Sequence, residues 1–409
     1  MVSLKREIFS HPQFRWFFLG RTVSLFGSAM TPVALAFAVL QAPKGQQLLG
    51  YILAAEMIPN VLMVLIGGTI GDRYRRDVLL LLSNIGSGLS QAGVAAIVVL
   101  GANPYFMFPL AIINGVLGAF TSPAMRGIVP EIVDSKDDIK QANSLLNVSR
   151  NSAKIVGPTV AGILVATVGG GWGIAIDAVS FFVAAFCFSQ VRIPSHPPIT
   201  QATIMQDMRE GWSYFRRHRW IWSITAAFAL MNAIQMGVWQ VLGPIIARHT
   251  FGSAGWGLTL GIKSLGLLVA SMAMLKFQLR RPLRECMLAI SVSGIPMIML
   301  GQGYALPYLV VGAALAGAGS AISGVAWDTS LQQAVPKDKL SRVCAFDDFG
   351  SYIAIPLGEI LAVPMSRIFG FKSVATVGGV IFILVALLPL IMRQVRQMTP
   401  ECIQSLSSE

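Results

Sequence analysis

Long apolar stretches alternate with short charged ones along this whole chain. Twelve apolar runs stand out: Phe14–Leu40, Leu48–Gly71, Val78–Leu100, Tyr105–Pro123, Ala142–Val168, Gly171–Gln190, Trp220–Ile246, Gly255–Phe277, Cys286–Tyr304, Ala305–Trp327, Val343–Met365 and Val374–Ile391. A helix needs roughly 20 apolar residues to cross a bilayer core, so the pattern predicts twelve transmembrane helices. The first run is too long, and too far from any small-residue cleavage site, to be a removed signal peptide. Six runs end at Gln190, a polar stretch covers 191–219, and six more follow. The expected architecture is an all-α integral membrane protein in two pseudo-symmetric six-helix bundles. The N-terminal bundle covers 1–190, a linker 191–219, and the C-terminal bundle with its tail 220–409. Related loops in the two halves, Val129-Pro130-Glu131 after the fourth run and Val335-Pro336-Lys337 after the tenth, fit a chain built from repeats.

Composition points the same way. Of 409 residues, 54% are hydrophobic and 12% charged, against about 25% charged in soluble domains. The 40 glycines and 21 prolines fall largely inside apolar runs. Membrane helices tolerate that usage, because small residues permit close approach and neighbours re-satisfy freed backbone groups.

The basic residues assign an orientation. Alternate loops on one side hold 23 of the 31 Lys and Arg residues, and the opposite loops hold 4. Both termini and the central loop are therefore expected in the cytoplasm, with the chain in the cell membrane. The same asymmetry accounts for the +12 net charge, so no nucleic-acid partner is implied. Within the central loop, Met205, Met208, Trp212 and Phe215 recur at helical spacing beside Arg209, Arg216 and Arg217. Such a helix either lies against anionic lipid or is a solvated linker.

Enzyme chemistry finds little footing. The four histidines, His11, His196, His218 and His249, lie in separate loops, and Cys187, Cys286, Cys344 and Cys402 form no C-x-x-C pair. No phosphate-binding G-x-x-x-x-G-K-[ST] loop occurs, so neither nucleotide nor any other cofactor is expected. An ion gradient is left as the energy source.

Charges inside helices are the candidate chemistry. A buried charge costs about 2.5–3.5 kcal/mol on insertion scales, so it faces a cavity or a partner. The acidic ones are Glu56, Asp177 and Glu359; the basic ones are Arg21, Arg150, Lys154 and Lys263. At about 1.5 Å per residue, Glu56 lies roughly 12 Å from the outer end of helix two. Lys263 lies at nearly the same depth in helix eight, the counterpart of helix two. Asn143, Asn147, Arg150 and Lys154 share one face of helix five. Further along it, Pro158 frees the carbonyl around position 154 and allows a bend. The buried charges either handle substrate and protons or form salt bridges that hold conformations.

Between the second and third runs stands Gly68-Thr-Ile-Gly-Asp72-Arg73-Tyr-Arg75-Arg76. This G-x-x-x-D-R-x-x-R string resembles the signature loop of the major facilitator superfamily. It departs from the usual form at Arg75, where a second Gly is customary, and at Asp77, where a basic residue is. Gly157-Pro158-Thr-Val-Ala-Gly162 resembles the antiporter motif of exporters in that superfamily. With Gln141–Leu145, Ile176–Phe181 and the Arg126–Pro130 region, the chain resembles the drug:proton antiporter branch that includes macrolide-type efflux pumps and the enterobactin exporter. The fourth helix lacks the membrane Arg found in many other proton-coupled exporters; Arg21 or Arg150 would have to substitute.

The resemblance implies the major facilitator fold and proton-coupled efflux of amphipathic small molecules by alternating access. Its partners are then substrate, protons and membrane lipid. It also implies gating roles for Gly68, Asp72, Arg73, Arg75 and Arg76, with Glu131, Asp347 or Asp348 as ion-pair partners for the arginines. Those arginines equally serve to fix topology. A lipid or lysolipid flippase of the same fold, and a membrane scaffold or sensor without transport, are the alternatives.

Overall fold

The computed structural model describes residues 8–71, 76–133, 136–191, 204–274, 276, 277 and 279–399. The described residues form helices joined by short connections, with no strand among them. Eleven of their helical segments are long and apolar enough to span a membrane. Together with Gly45–Gly71, a helix stands on each of the twelve predicted runs.

The first unit takes in residues 1–200 together with Gly252–Gly257. It contains α1 (Pro12–Gln41), α2 (Gly45–Gly71), α3 (Arg76–Val99), α4 (Met107–Gly127), α5 (Lys136–Val168) and α6 (Gly170–Ser189). Helix α1 packs mainly on α6 and α5, α3 on α6 and α4, and α2 on α4. Small residues let these helices meet closely. At the α1–α6 seam, a side chain on Gly27 would run into Ser180 and Asp177, and one on Gly173 into Ala34. One end of the unit is sealed by an aromatic and aliphatic cluster including Phe14, Phe17, Leu80, Ile128 and Phe188.

The second unit takes in residues 201–251 and 258–409. It begins with α7 (Ile204–Arg217), in the central loop. This helix docks one aromatic face on its own unit. Phe215 is buried, Trp212 lies 5.4 Å ring to ring from Phe346, and the Tyr214 hydroxyl donates to the Ala334 carbonyl at 2.9 Å. Gly211 makes this possible, since a Cβ there would strike Arg342. Trp212 keeps 49% of its surface exposed on the other side.

There follow α8 (Arg219–Gln235), a π-helical turn (Met236–Leu242), α9 (Gly243–His249), α10 (Gly252–Ala273), α11 (Pro282–Ser291), α12 (Gly294–Gln302), α13 (Leu306–Ala334), α14 (Lys337–Tyr352), α15 (Ile355–Phe369) and α16 (Phe371–Leu387). Three predicted runs are thus segmented, each just upstream of a proline. A proline removes one N–H and crowds the carbonyl four residues before it. For Pro244 that carbonyl is in the π turn, for Pro296 it belongs to Val292 at the α11–α12 joint, and for Pro356 to Tyr352 beside the α14–α15 joint. In contrast Pro32, Pro59, Pro158 and Pro364 sit inside helices that continue past them. Whatever bend Pro158 permits, α5 runs through it without a break.

The second unit also buries a carboxylate. Asp347 of α14 accepts from the Thr225 hydroxyl at 2.5 Å and from the Trp327 indole N–H at 2.8 Å, joining α8, α13 and α14. It ties its own unit's core together; Arg73 and Arg75, two of its expected partners, lie outside the described residues. Asp347→Ala would strand the buried indole N–H, at a cost of about 1–3 kcal/mol. The variant is expected to melt several degrees below the parent in detergent, with Asp347→Asn in between. Equal melting of Asp347→Ala and the parent would show that these contacts hold nothing.

Candidate functional site

Within the first unit, residues of α1 to α6 line a cavity of about 570 Å³. Three of the charged candidates line it: Arg21 from α1, Glu56 from α2 and Arg150 from α5. The rest of the wall is mixed, with amides from Asn60, Asn84, Asn114, Asn143 and Asn147 and apolar surface from Phe17, Leu25, Leu146 and Phe181. Polar groups thus face inward while Leu62, Leu82, Leu89 and Phe186 are exposed on the outside of the unit. That inversion is what lipid on the outside and a polar path inside require.

The α2–α4 seam positions Glu56. Gly115 lies directly on the Glu56 backbone carbonyl, with no room for a Cβ between them. One residue before it, Asn114 donates from Nδ2 to Glu56 Oε1 at 2.9 Å. Charge-based reading of the sequence passes over Asn114, although a lone Asn in an apolar helix is a signal that a polar partner is needed.

The face of α5 predicted from spacing is only partly realised. Asn143, Asn147 and Arg150 line the cavity, whereas Lys154, one turn further on, lies outside its wall. Arg21 and Arg150 stand close enough for charge repulsion. Neither guanidinium forms an ion pair among the described residues.

Asp177 is set apart from the cavity wall. It is 1% exposed, between α6 and α1, and accepts from Thr31 at 2.6 Å, Ser180 at 3.3 Å and Ser28 at 3.5 Å. Three hydroxyls from two helices make it a junction. Glu359 is buried in α15 of the second unit. Lys263, on α10, holds its ammonium 5.1 Å from the Trp239 ring centre, a cation–π contact with the π-helical turn. Gly317 meets the Lys263 backbone carbonyl as Gly115 meets that of Glu56. The two units thus repeat one helix contact with opposite charges on it.

Of the signature loop, Gly68 lies within α2, while Asp72, Arg73 and Arg75 lie outside the described residues. Arg76 pairs with Glu131 at 2.6 Å, tying the start of α3 to the short turn Val129–Ile132. In the exporter-like motif, Gly157 abuts Ala29 of α1, and Gly162 meets Gly257 while its carbonyl accepts from Ser253 Oγ at 3.1 Å.

An all-helical membrane protein whose helices enclose a charged, amide-rich cavity is a transporter in outline, and comparison with known proteins agrees. The family model described as transmembrane secretion effector matches residues 7–288. The chain belongs to that family of the major facilitator superfamily, among transporters of the efflux type. The multidrug efflux pump Tap of Mycolicibacterium fortuitum is 26% identical over 366 residues, 85% of this chain and 87% of Tap. The enterobactin exporter EntS of Citrobacter koseri is 22% identical over 400 residues, 96% of this chain and 95% of EntS. Among solved structures, the nucleoside transporter NupG superposes with a TM-score of 0.73 at 11% identity, covering 95% of this chain and all of NupG. An auto-inhibited POT family peptide transporter gives 0.73 at 11% identity, covering 94% of this chain and 97% of the transporter. The likeness to these structures is one of fold.

Proposed function

We propose that this chain exports amphipathic small molecules across the cell membrane by proton-coupled alternating access, with both termini in the cytoplasm. The observation that carries the reading is Glu56, a carboxylate on the wall of a membrane-embedded cavity that also holds Arg21 and Arg150. Protonating Glu56 removes the one acidic charge among the described wall residues, so the electrostatic environment of a bound molecule changes with one proton. A carrier driven by a proton gradient needs such a group. At about 2.3 kcal/mol per charge per 100 mV, one proton moving down such a potential supports a substrate gradient of roughly fifty-fold.

The remaining candidates take subsidiary roles. Asp177 and Glu359 are further proton sites to be tested beside Glu56, and Lys154 and Lys263 further cations. The Arg76–Glu131 pair and the Gly68–Arg75 segment bias which side is closed. Gly157, Pro158 and Gly162 supply close contacts that change as the cavity opens. The names of the relatives, a multidrug efflux pump and a siderophore exporter, set the substrates to try first.

The test is efflux from cells expressing the chain, loaded with macrolides, dyes and catecholate siderophores, with and without a protonophore. Export of at least one compound, with accumulation rising several-fold on adding the protonophore, is the expected result. No export of any member would overturn the drug-or-siderophore reading and direct the search to lipid movement between leaflets.

A further inference from the structure

We infer that the molecules carried through this cavity are acids, gripped by their anionic group between Arg21 and Arg150. The inference rests on the transport reading above and names its substrate class.

Among the described residues, the charges lining the cavity are two guanidiniums and one carboxylate. Glu56 already has a partner, the Asn114 amide at 2.9 Å. Arg21 and Arg150 have no acidic partner among the described residues, and they repel each other. Two guanidiniums on one cavity wall repel each other as long as no anion lies between them. A carboxylate, sulfonate or phosphate between them relieves that repulsion, and guanidinium forks match such groups with paired hydrogen bonds.

The neighbouring side chains suit the same occupant. Asn143 and Asn147 rise on the Arg150 face of α5, exposed to the cavity, and make no hydrogen bond among the described residues. Their amide N–H groups are donors placed for further oxygens. Phe17, Leu25, Leu146 and Phe181 give an apolar body somewhere to lie. A cationic amphiphile would instead meet two positive charges against one carboxylate among the described wall residues.

Three probes with one apolar body separate the possibilities: dansylglycine, its neutral glycinamide, and a dansyl trimethylammonium compound. Binding to the purified full chain in nanodiscs is followed by dansyl fluorescence, and uptake into proteoliposomes by filtration under an imposed proton gradient. Dansylglycine is expected to bind at least ten-fold tighter than the amide, and the cation weakest. Arg21→Gln and Arg150→Gln should each weaken acid binding at least ten-fold more than amide binding, with parent-like melting in nanodiscs certifying that the variants fold. Arg150→Lys should restore part of the acid binding.

Equal binding of acid and cation, a preference that survives both Gln substitutions, or no binding of any probe overturns the inference. Failure of the transport reading looks different: acid-selective binding that depends on both arginines, but no proton-driven uptake. In that outcome the anion site stands and the exporter does not.

Discussion

Glu56→Gln is expected to cut gradient-driven efflux by at least ten-fold while leaving the protein folded and able to bind. The substitution is close to isosteric. The Gln carbonyl oxygen takes the place of Oε1 and still accepts from Asn114, whose Nδ2 lies 2.9 Å away in the parent, so the α2–α4 seam is undisturbed. Only the exchangeable proton is lost. The cavity is fixed in the charge state that protonated Glu56 would give it, with Arg21 and Arg150 uncompensated. Exchange of substrate for substrate across the membrane, which needs no proton turnover, should persist in this variant. Efflux against a gradient, and its sensitivity to protonophore, should not. Parent-like, protonophore-sensitive efflux by Glu56→Gln would remove Glu56 from the coupling step. The same amide substitutions, Glu359→Gln and Asp177→Asn, would then decide where the proton goes.

Gly115→Ala and Gly317→Ala are expected to destabilise the two units to a similar degree. In each, the added methyl would overlap a backbone carbonyl on the facing helix, that of Glu56 in one unit and of Lys263 in the other. A backbone atom has no rotamer with which to yield, so the helices must separate. Overpacking of this kind costs about 1–3 kcal/mol, or a fall of roughly 3–10 °C in melting temperature for units of this size. Gly324 supplies the control: it lies in the same helix as Gly317, and a Cβ added there would have nothing within 4 Å. Gly324→Ala should be neutral or gain up to about 1 kcal/mol from helix propensity. Melting of Gly115→Ala alongside Gly324→Ala in detergent would contradict the close contact. In Gly115→Ala, transport should suffer as well, since the carbonyl displaced belongs to the residue that carries the cavity's carboxylate.

Much of the helix pattern is legible in the amino-acid sequence by itself. A twenty-residue apolar run in a chain with few charges has essentially one stable form in lipid, because its backbone groups must pair within the segment. Proline behaviour is not legible in this way. Pro59 and Pro158 leave their helices intact, whereas Pro296 and Pro356 stand just past joints. The difference depends on whether neighbouring helices can hold the strained turn, which is a tertiary property.

The cavity follows the same division. Charged residues in apolar runs announce themselves, so Arg21, Glu56 and Arg150 are all identifiable from sequence. That they converge, while Lys154 does not, depends on how α1, α2 and α5 are rotated against one another. Asn60, Asn84 and Asn114 are easily passed over because an amide carries no charge to advertise it. Asp177 resembles a second cavity carboxylate in sequence; its three hydroxyl partners come from how closely Gly27 lets α1 approach α6.

The segmented helices of the second unit make the two units mechanically unequal. Where α8, α11 and α14 each hand over to a following segment, a rod of uniform stiffness becomes two shorter rods with a compliant joint. Thermal fluctuation concentrates at such joints, because the local hydrogen-bond ladder there is thinnest and opens at lower free energy than its surroundings. The first unit, whose internal prolines leave its rods whole, has no equivalent joints among its described residues. Two bodies of shared architecture therefore distribute compliance differently: in one it is concentrated at the joints, in the other it is spread along unbroken rods.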